Sequence, residues 1–134
     1  MGMGRSGGNV KTNRMMKLLI VEDEVMIAMR LKLFFKSRGY NVLGYVTSGE
    51  EAVEKALFEK PDLILMDINL NGKMSGLDAG EAIIEKFYIP IIFITGYSDE
   101  TYRQRASKLN PLGYFFKPIN MYEILTALNK IDEK

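Results

Sequence analysis

Five apolar runs of four to six residues alternate along this chain with five longer stretches of helical character. LLIV (18–21) precedes VMIAMRLKLFFKSR (25–38), and NVLGYV (41–46) precedes GEEAVEKALFEK (49–60). DLILM (62–66) leads through a glycine-containing loop to LDAGEAIIEKF (77–87). PIIFIT (90–95) precedes DETYRQRASKL (99–109), and GYFF (113–116) precedes NMYEILTALNKI (120–131). Apolar runs without polar alternation suit strands covered on both faces. Regular alternation of such strands with helices implies right-handed crossovers and an α/β, doubly wound, five-stranded parallel sheet in three layers. The punctuation agrees. Gly39 stands at a helix C-cap position, Pro61 ends the second helix and Asp99 is placed to cap the fourth. Ser48 followed by Glu50 and Glu51 reads as a capping box.

A chain of 134 residues suggests one domain. Residues 1–14 are glycine-rich and basic without apolar periodicity, so they are expected to form a disordered tail ahead of a folded domain at 15–134. A net charge of +1 gives no electrostatic argument for nucleic acid or an anionic membrane. No apolar run is long enough to span a bilayer, and a cytoplasmic location is expected. The absence of cysteine excludes disulfide and thiolate chemistry, and the absence of histidine removes the commonest general base and transition-metal ligand. Chemistry must therefore run on carboxylates, hydroxyls, lysine and a hard cation.

In open sheets of this kind ligands sit outside the carboxyl ends of the strands. Those ends carry Glu22-Asp23-Glu24 after the first strand and Asp67, with Asn69 beyond it, after the third. Thr95 and Gly96 close the fourth, and Lys117-Pro118 follow the fifth. Asp67 emerges from LILMDINL, where a strand buried on both faces has no structural use for a charge. Two carboxylates about 4 Å apart repel by ~4 kcal/mol at an effective dielectric near 20. A divalent cation removes that repulsion, and an oxygen-only ligand set favours Mg²⁺. Mg²⁺, an ammonium and a hydroxyl together suit a phosphoryl group, with Asp67 as nucleophile and the product an acyl phosphate.

Taken singly, these residues have plainer readings. The acids after the first strand could be a solvated helix N-terminus. Asp67 could cap a turn, Thr95 and Lys117 could be structural, and a strand tyrosine such as Tyr114 is ordinarily core. Their conjunction favours the functional reading for the acids, Thr95 and Lys117. Met26, Met29 and Met66 lie on apolar segments and are expected to fill core gaps, while Met15 and Met16 are placed to cover the first strand's edge.

Four of these segments, LLIVEDE, LILMDINL, FITG and GYFFKP, resemble in order the signatures of the receiver domain of two-component response regulators, over about residues 16–131. The resemblance implies a flavodoxin-like fold with strand order 2-1-3-4-5. It implies that Asp67 takes a phosphoryl group from a histidine kinase or phosphotransfer protein. Asp23, Asp67 and the backbone carbonyl of Asn69 would hold Mg²⁺ directly, and Glu22 through water. Lys117 would bond a phosphoryl oxygen. Thr95 and Tyr114 would be the switch pair, altering the face made by the fourth helix, fifth strand and fifth helix. Asn69 and Tyr97 would set phosphate lifetime, Tyr97 by screening the phosphoryl group from water. Pro118 follows Lys117 at a position that is often cis.

The family's usual proline four residues after the acceptor is Asn71 here, and the loop NLNGKMSG is one residue longer than the commonest form. Gly76 still supplies the flexible position expected before the third helix. The domain is not expected to be an enzyme beyond its own phosphorylation and dephosphorylation. Output is expected through a downstream protein, an attached output domain or a homodimer on the switching face, without direct nucleic-acid contact. Two rivals remain: a degenerate receiver that binds a partner without phosphorylation, and a haloacid dehalogenase-type aspartyl-phosphate hydrolase. The second wants an acid where Asn69 stands. A flavodoxin-like cofactor binder would need a phosphate-cradling loop after the first strand, where EDEVM sits.

Overall fold

The computed structural model describes residues 16–132, with side chains to 130. The expected tail, and the role assigned to Met15, lie outside the described residues. Ten elements alternate without exception: β1 (Lys17–Val21), α1 (Val25–Ser37), β2 (Asn41–Val46), α2 (Gly49–Glu59), β3 (Leu63–Asp67), α3 (Gly76–Lys86), β4 (Ile91–Thr95), α4 (Glu100–Ser107), β5 (Gly113–Phe116) and α5 (Met121–Asp132). All strand pairs are parallel, in the order β2-β1-β3-β4-β5. This is the doubly wound parallel sheet read from the apolar runs, in the order that the family resemblance implies.

Side-chain parity explains the unbroken apolar runs. Leu63 and Leu65 of β3 pack with Leu31 and Phe35 of α1 and Ile124 and Leu128 of α5. Ile64 and Met66 face the other way, onto Ala52 and Ala56 of α2, Leu77 and Ile83 of α3 and Ala106 of α4. Both faces of the strand are therefore core, and a polar residue on either would be buried without a partner. Each large side chain fully buried in this way contributes about 1.5–3 kcal/mol relative to exposure.

Three local expectations need correction. Met66 is buried as expected, but Met26 and Met29 are 78% and 49% exposed. Helix α1 turns Ala28, Leu31 and Phe35 inward at i, i+3 and i+7 spacing, which leaves Met26, Met29 and Leu33 outside. Ser48 caps α2 by accepting from the Glu51 N–H, yet Glu51 reaches back to the Thr47 N–H, so that box does not close on its own cap. The closed box is at α3. Ser75 Oγ accepts from Asp78 N–H at 3.1 Å, and Asp78 Oδ2 accepts from Ser75 N–H at 3.0 Å. The Ser75 N–H, with Arg105 of α4 hydrogen-bonded to the same carboxylate, holds Asp78 below the usual carboxylate range. Ser75→Ala is expected to cost about 1 kcal/mol, read as a lower midpoint in urea unfolding.

The third correction concerns Gly76. It is the first residue of α3, and a Cβ there would lie 2.1 Å from the Asp67 carbonyl oxygen and 2.8 Å from Ile68 Cα. Its N–H donates to the Ile68 carbonyl at 2.9 Å. Glycine is required at this position for close approach of two backbones, which is a different demand from flexibility. Gly44 does have the positive φ, +100°, that glycine tolerates. It lies where the β1–β2 register slips between Leu18 and Ile20, a bulge in the edge strand.

Candidate functional site

Parallel strands deliver their carboxyl ends to one rim, and β3, central in the sheet, brings Asp67 to its middle. Asp67 is 1% exposed. Its Oδ1 accepts from Asn69 N–H at 3.0 Å, and its Oδ2 accepts from the Lys117 ammonium at 3.0 Å. Lys117 reaches it from just beyond β5. The Lys117 N–H donates to the Thr95 carbonyl at 2.8 Å, which ties that segment to the end of β4, and the Lys117–Pro118 bond is cis. The same ammonium stands 3.6 Å from Glu22 Oε1 and 3.6 Å from Glu24 Oε1. Burial works against the charged lysine, but the Asp67 hydrogen bond and three acidic neighbours outweigh it and hold its pKa above the ordinary value.

Glu22, also 1% exposed, follows β1. Its Oε2 accepts from Glu24 N–H at 3.0 Å, while Oε1 has no hydrogen-bond partner. Burial, with the Asp67 charge adding to it, pushes Glu22 up to about 7. Asp23 is half-buried and accepts at Oδ2 from the Asn71 N–H at 3.0 Å. A proline at position 71 would have no such N–H to give.

The carboxylate oxygens of Glu22, Asp23 and Asp67 lie within 4.8 Å of one another. The Lys117 ammonium offsets only part of the charge of three carboxylates so close together, and Glu22 Oε1 is left without a hydrogen-bond partner. The donor set is all oxygen, so the residues fit a hard divalent cation such as Mg²⁺.

Thr95 is fully buried at the end of β4. Its hydroxyl donates to Asn69 Oδ1 at 2.8 Å and accepts from Tyr97 N–H at 3.1 Å. Gly96 N–H also donates to Asn69 Oδ1, at 3.1 Å. Tyr97 thus joins the site through its backbone, with its residue 60% exposed. Tyr114 is set apart from this cluster. It pairs in register with Phe93, and its half-buried ring packs on the α2–α3–α4 side beneath the Arg103 guanidinium at 5.4 Å. Its buried hydroxyl has no hydrogen-bond partner, and burial pushes it up from the ordinary tyrosine value.

Glu22, Asp23, Asp67, Asn69, Thr95 and Lys117, all named from the chain alone, therefore share one rim. The contributions of Glu24, of the Asn71 and Gly96 N–H groups and of Gly76 were missed. Glu24, Gly96 and Gly76 were visible at or near the strand ends without their contacts, and Asn71 only as a missing proline.

A family model described as the response regulator receiver domain matches residues 18–129. The chain is 34% identical over 112 residues to the transcriptional regulatory protein PdtaR of Mycobacterium tuberculosis, covering 84% of this chain and 54% of that one. It is 33% identical over 118 residues to the chemotaxis protein CheY of Thermotoga maritima, covering 87% of this chain and 98% of that one. Among solved structures, the signal receiver domain of a modulated diguanylate cyclase from Desulfovibrio desulfuricans G20 matches with a TM-score of 0.80 at 36% identity, covering 88% of this chain and 94% of that one. The chain spans about half the length of the first curated relatives, 54% of PdtaR and 46% of the regulator PhyR of Methylorubrum extorquens. With the fold, the acidic rim and these likenesses together, the chain belongs to the response regulator receiver domains of two-component signalling.

Proposed function

We propose that this domain accepts a phosphoryl group on Asp67 from a phosphohistidine donor and thereby switches the face made by α4, β5 and α5. The observation that carries the reading is the Asp67 carboxylate itself. It is buried, gripped by Lys117 at 3.0 Å and within 4.8 Å of the Glu22 and Asp23 carboxylate oxygens. No structural demand requires that much charge at the end of a central strand.

In the transfer, one carboxylate oxygen of Asp67 attacks phosphorus. The O–P bond forms as the P–N bond to the donor imidazole breaks, and the electron pair leaves with the imidazole nitrogen. The Lys117 ammonium offsets charge on the phosphoryl oxygens, and the Thr95 hydroxyl, once turned toward the group, would donate to one. Asp23, Asp67 and the Asn69 carbonyl would hold Mg²⁺ directly and Glu22 through water, and the ion would supply a further countercharge there. Reorientation of Thr95 and inward movement of Tyr114 would carry the change to α4 and β5. The chain has no histidine, so the donor imidazole lies outside these 134 residues, on a histidine kinase or phosphotransfer protein. Output passes to a downstream protein, an attached output domain or a second copy on the α4–β5–α5 face, in the cytoplasm and without direct nucleic-acid contact. No helix among the described residues is long and apolar enough to cross a membrane.

Incubation with acetyl phosphate and Mg²⁺ should add one base-labile phosphoryl group to the chain, and chelation should prevent it. No adduct under these conditions would leave the phosphorylation-independent binding module as the better reading. Continued turnover of an organic phosphate ester would instead point to a hydrolase. The Asn71 N–H holds Asp23 from outside the ligand set, so Asn71→Pro is expected to weaken Mg²⁺ binding by ~10-fold, measured by calorimetric titration.

A further inference from the structure

We infer that the Asn69 carboxamide is a latch on the loop between β4 and α4, holding in the unmodified domain the Thr95 hydroxyl and the Gly96 N–H, two donors for which a phosphoryl group on Asp67 would compete. The inference rests on the acceptor role proposed for Asp67. Asn69 spans the gap between acceptor and loop. Its backbone N–H is fixed on Asp67 Oδ1 at 3.0 Å, and its side-chain Oδ1 receives the Thr95 hydroxyl at 2.8 Å and the Gly96 N–H at 3.1 Å. A backbone N–H can only donate, so the carboxamide oxygen, not its NH₂, faces the loop. Thr95 is fully buried, and its oxygen already accepts from Tyr97 N–H at 3.1 Å. The hydroxyl has one proton and cannot serve Asn69 and a phosphoryl oxygen together.

The neutral Asn69 oxygen therefore occupies both donors, and a phosphoryl oxygen on Asp67 would compete with it for them. A charged phosphoryl oxygen is the stronger acceptor, roughly twofold in hydrogen-bond strength, so both donors transfer when the group arrives. Until then Asn69 opposes the switched arrangement of Thr95 and the loop. Asn69 is in this sense a positioning residue for the transfer, acting through Thr95 and Gly96, and this role of the side chain is separate from that of its backbone carbonyl toward Mg²⁺.

The test uses the full chain with Mg²⁺ and beryllofluoride, a phosphoryl mimic that binds a carboxylate. Asn69→Ala should bind beryllofluoride about 3- to 10-fold more tightly than wild type, the range expected for releasing one or two competing hydrogen bonds. In a Thr95→Val background the same substitution should gain less, because only the Gly96 donor remains to be freed. Without any ligand, Asn69→Ala should speed hydrogen exchange at the Gly96 amide but leave the Lys117 amide, bonded to the Thr95 carbonyl at 2.8 Å, unchanged. A purely structural role would not produce that pairing. Equal or weaker beryllofluoride binding by Asn69→Ala, an undiminished gain in Thr95→Val, or unchanged Gly96 exchange would each overturn the latch alone. Wild-type protein that fails to bind beryllofluoride would overturn the acceptor reading and the latch with it.

Discussion

Asp67→Asn is expected to reduce phosphoryl uptake from acetyl phosphate by ~10³-fold or more, to the background of an intact-mass measurement. A carboxamide is a far weaker nucleophile than a carboxylate, and no other carboxylate holds the same position. Glu22 is turned back onto the Glu24 N–H, and Asp23 is engaged by Asn71. The loss should not come from unfolding. Asparagine keeps the shape and an acceptor for the Asn69 N–H, and the substitution removes one charge from three crowded carboxylates. The Lys117 ammonium retains Glu22 and Glu24, each at 3.6 Å, as partners. Far-UV circular dichroism and the urea midpoint should therefore match wild type or exceed it. A variant that folds normally and still takes up one phosphoryl group per chain would displace Asp67 from the centre of the proposal.

Gly76→Ala is expected to be the most damaging single-methyl change in the domain, at about 3–5 kcal/mol of unfolding free energy. Replacing a helical glycine by alanine ordinarily stabilises by up to about 1 kcal/mol. Here the sign reverses because the new Cβ meets the Asp67–Ile68 peptide, 2.1 Å from the Asp67 carbonyl oxygen and 2.8 Å from its carbon. Neither can rotate aside. Relief requires the start of α3 to move off the end of β3, which strains the Gly76 N–H bond to Ile68 and the peptide that carries the acceptor. Gly96→Ala is the control. Its added Cβ would have Lys117 Cδ at 4.0 Å as nearest neighbour, so a change within about 0.5 kcal/mol is expected. Urea unfolding of the two variants beside wild type measures both values. A near-neutral Gly76→Ala would mean that the close contact at the acceptor strand is not a structural constraint.

How far the chain could be read depended on whether a feature was local. Strands and helices appeared within a residue or two of where apolar runs and caps placed them, Asp99 capping α4 among them. The face of α1 was harder. Its thirteen residues are apolar nearly all round, so periodicity did not single out Ala28, Leu31 and Phe35 over Met26 and Met29. The bulge at Gly44 was visible only as a glycine within a strand, with nothing to fix the register. The bridge from Arg105 of α4 to Asp78 and Glu81 of α3 left no signature at all, since it joins residues 24 and 27 positions apart.

The amino-acid order by itself determined the alternating α/β build and the meeting of Asp23, Asp67, Thr95 and Lys117. Burial on both faces demands uninterrupted apolar runs, and parallel crossovers send every strand's carboxyl end to the same rim. Only the tertiary structure decided which groups hold those side chains. The Asn71 N–H finds Asp23 across 48 positions, Asn69 finds Thr95 across 26, and Gly76 is pressed onto the Asp67 carbonyl. Hydrogen bonds and contacts of that kind are set to a few tenths of an ångström by the path of a loop, and residue type and spacing say nothing about that path until the sheet has fixed both of its ends.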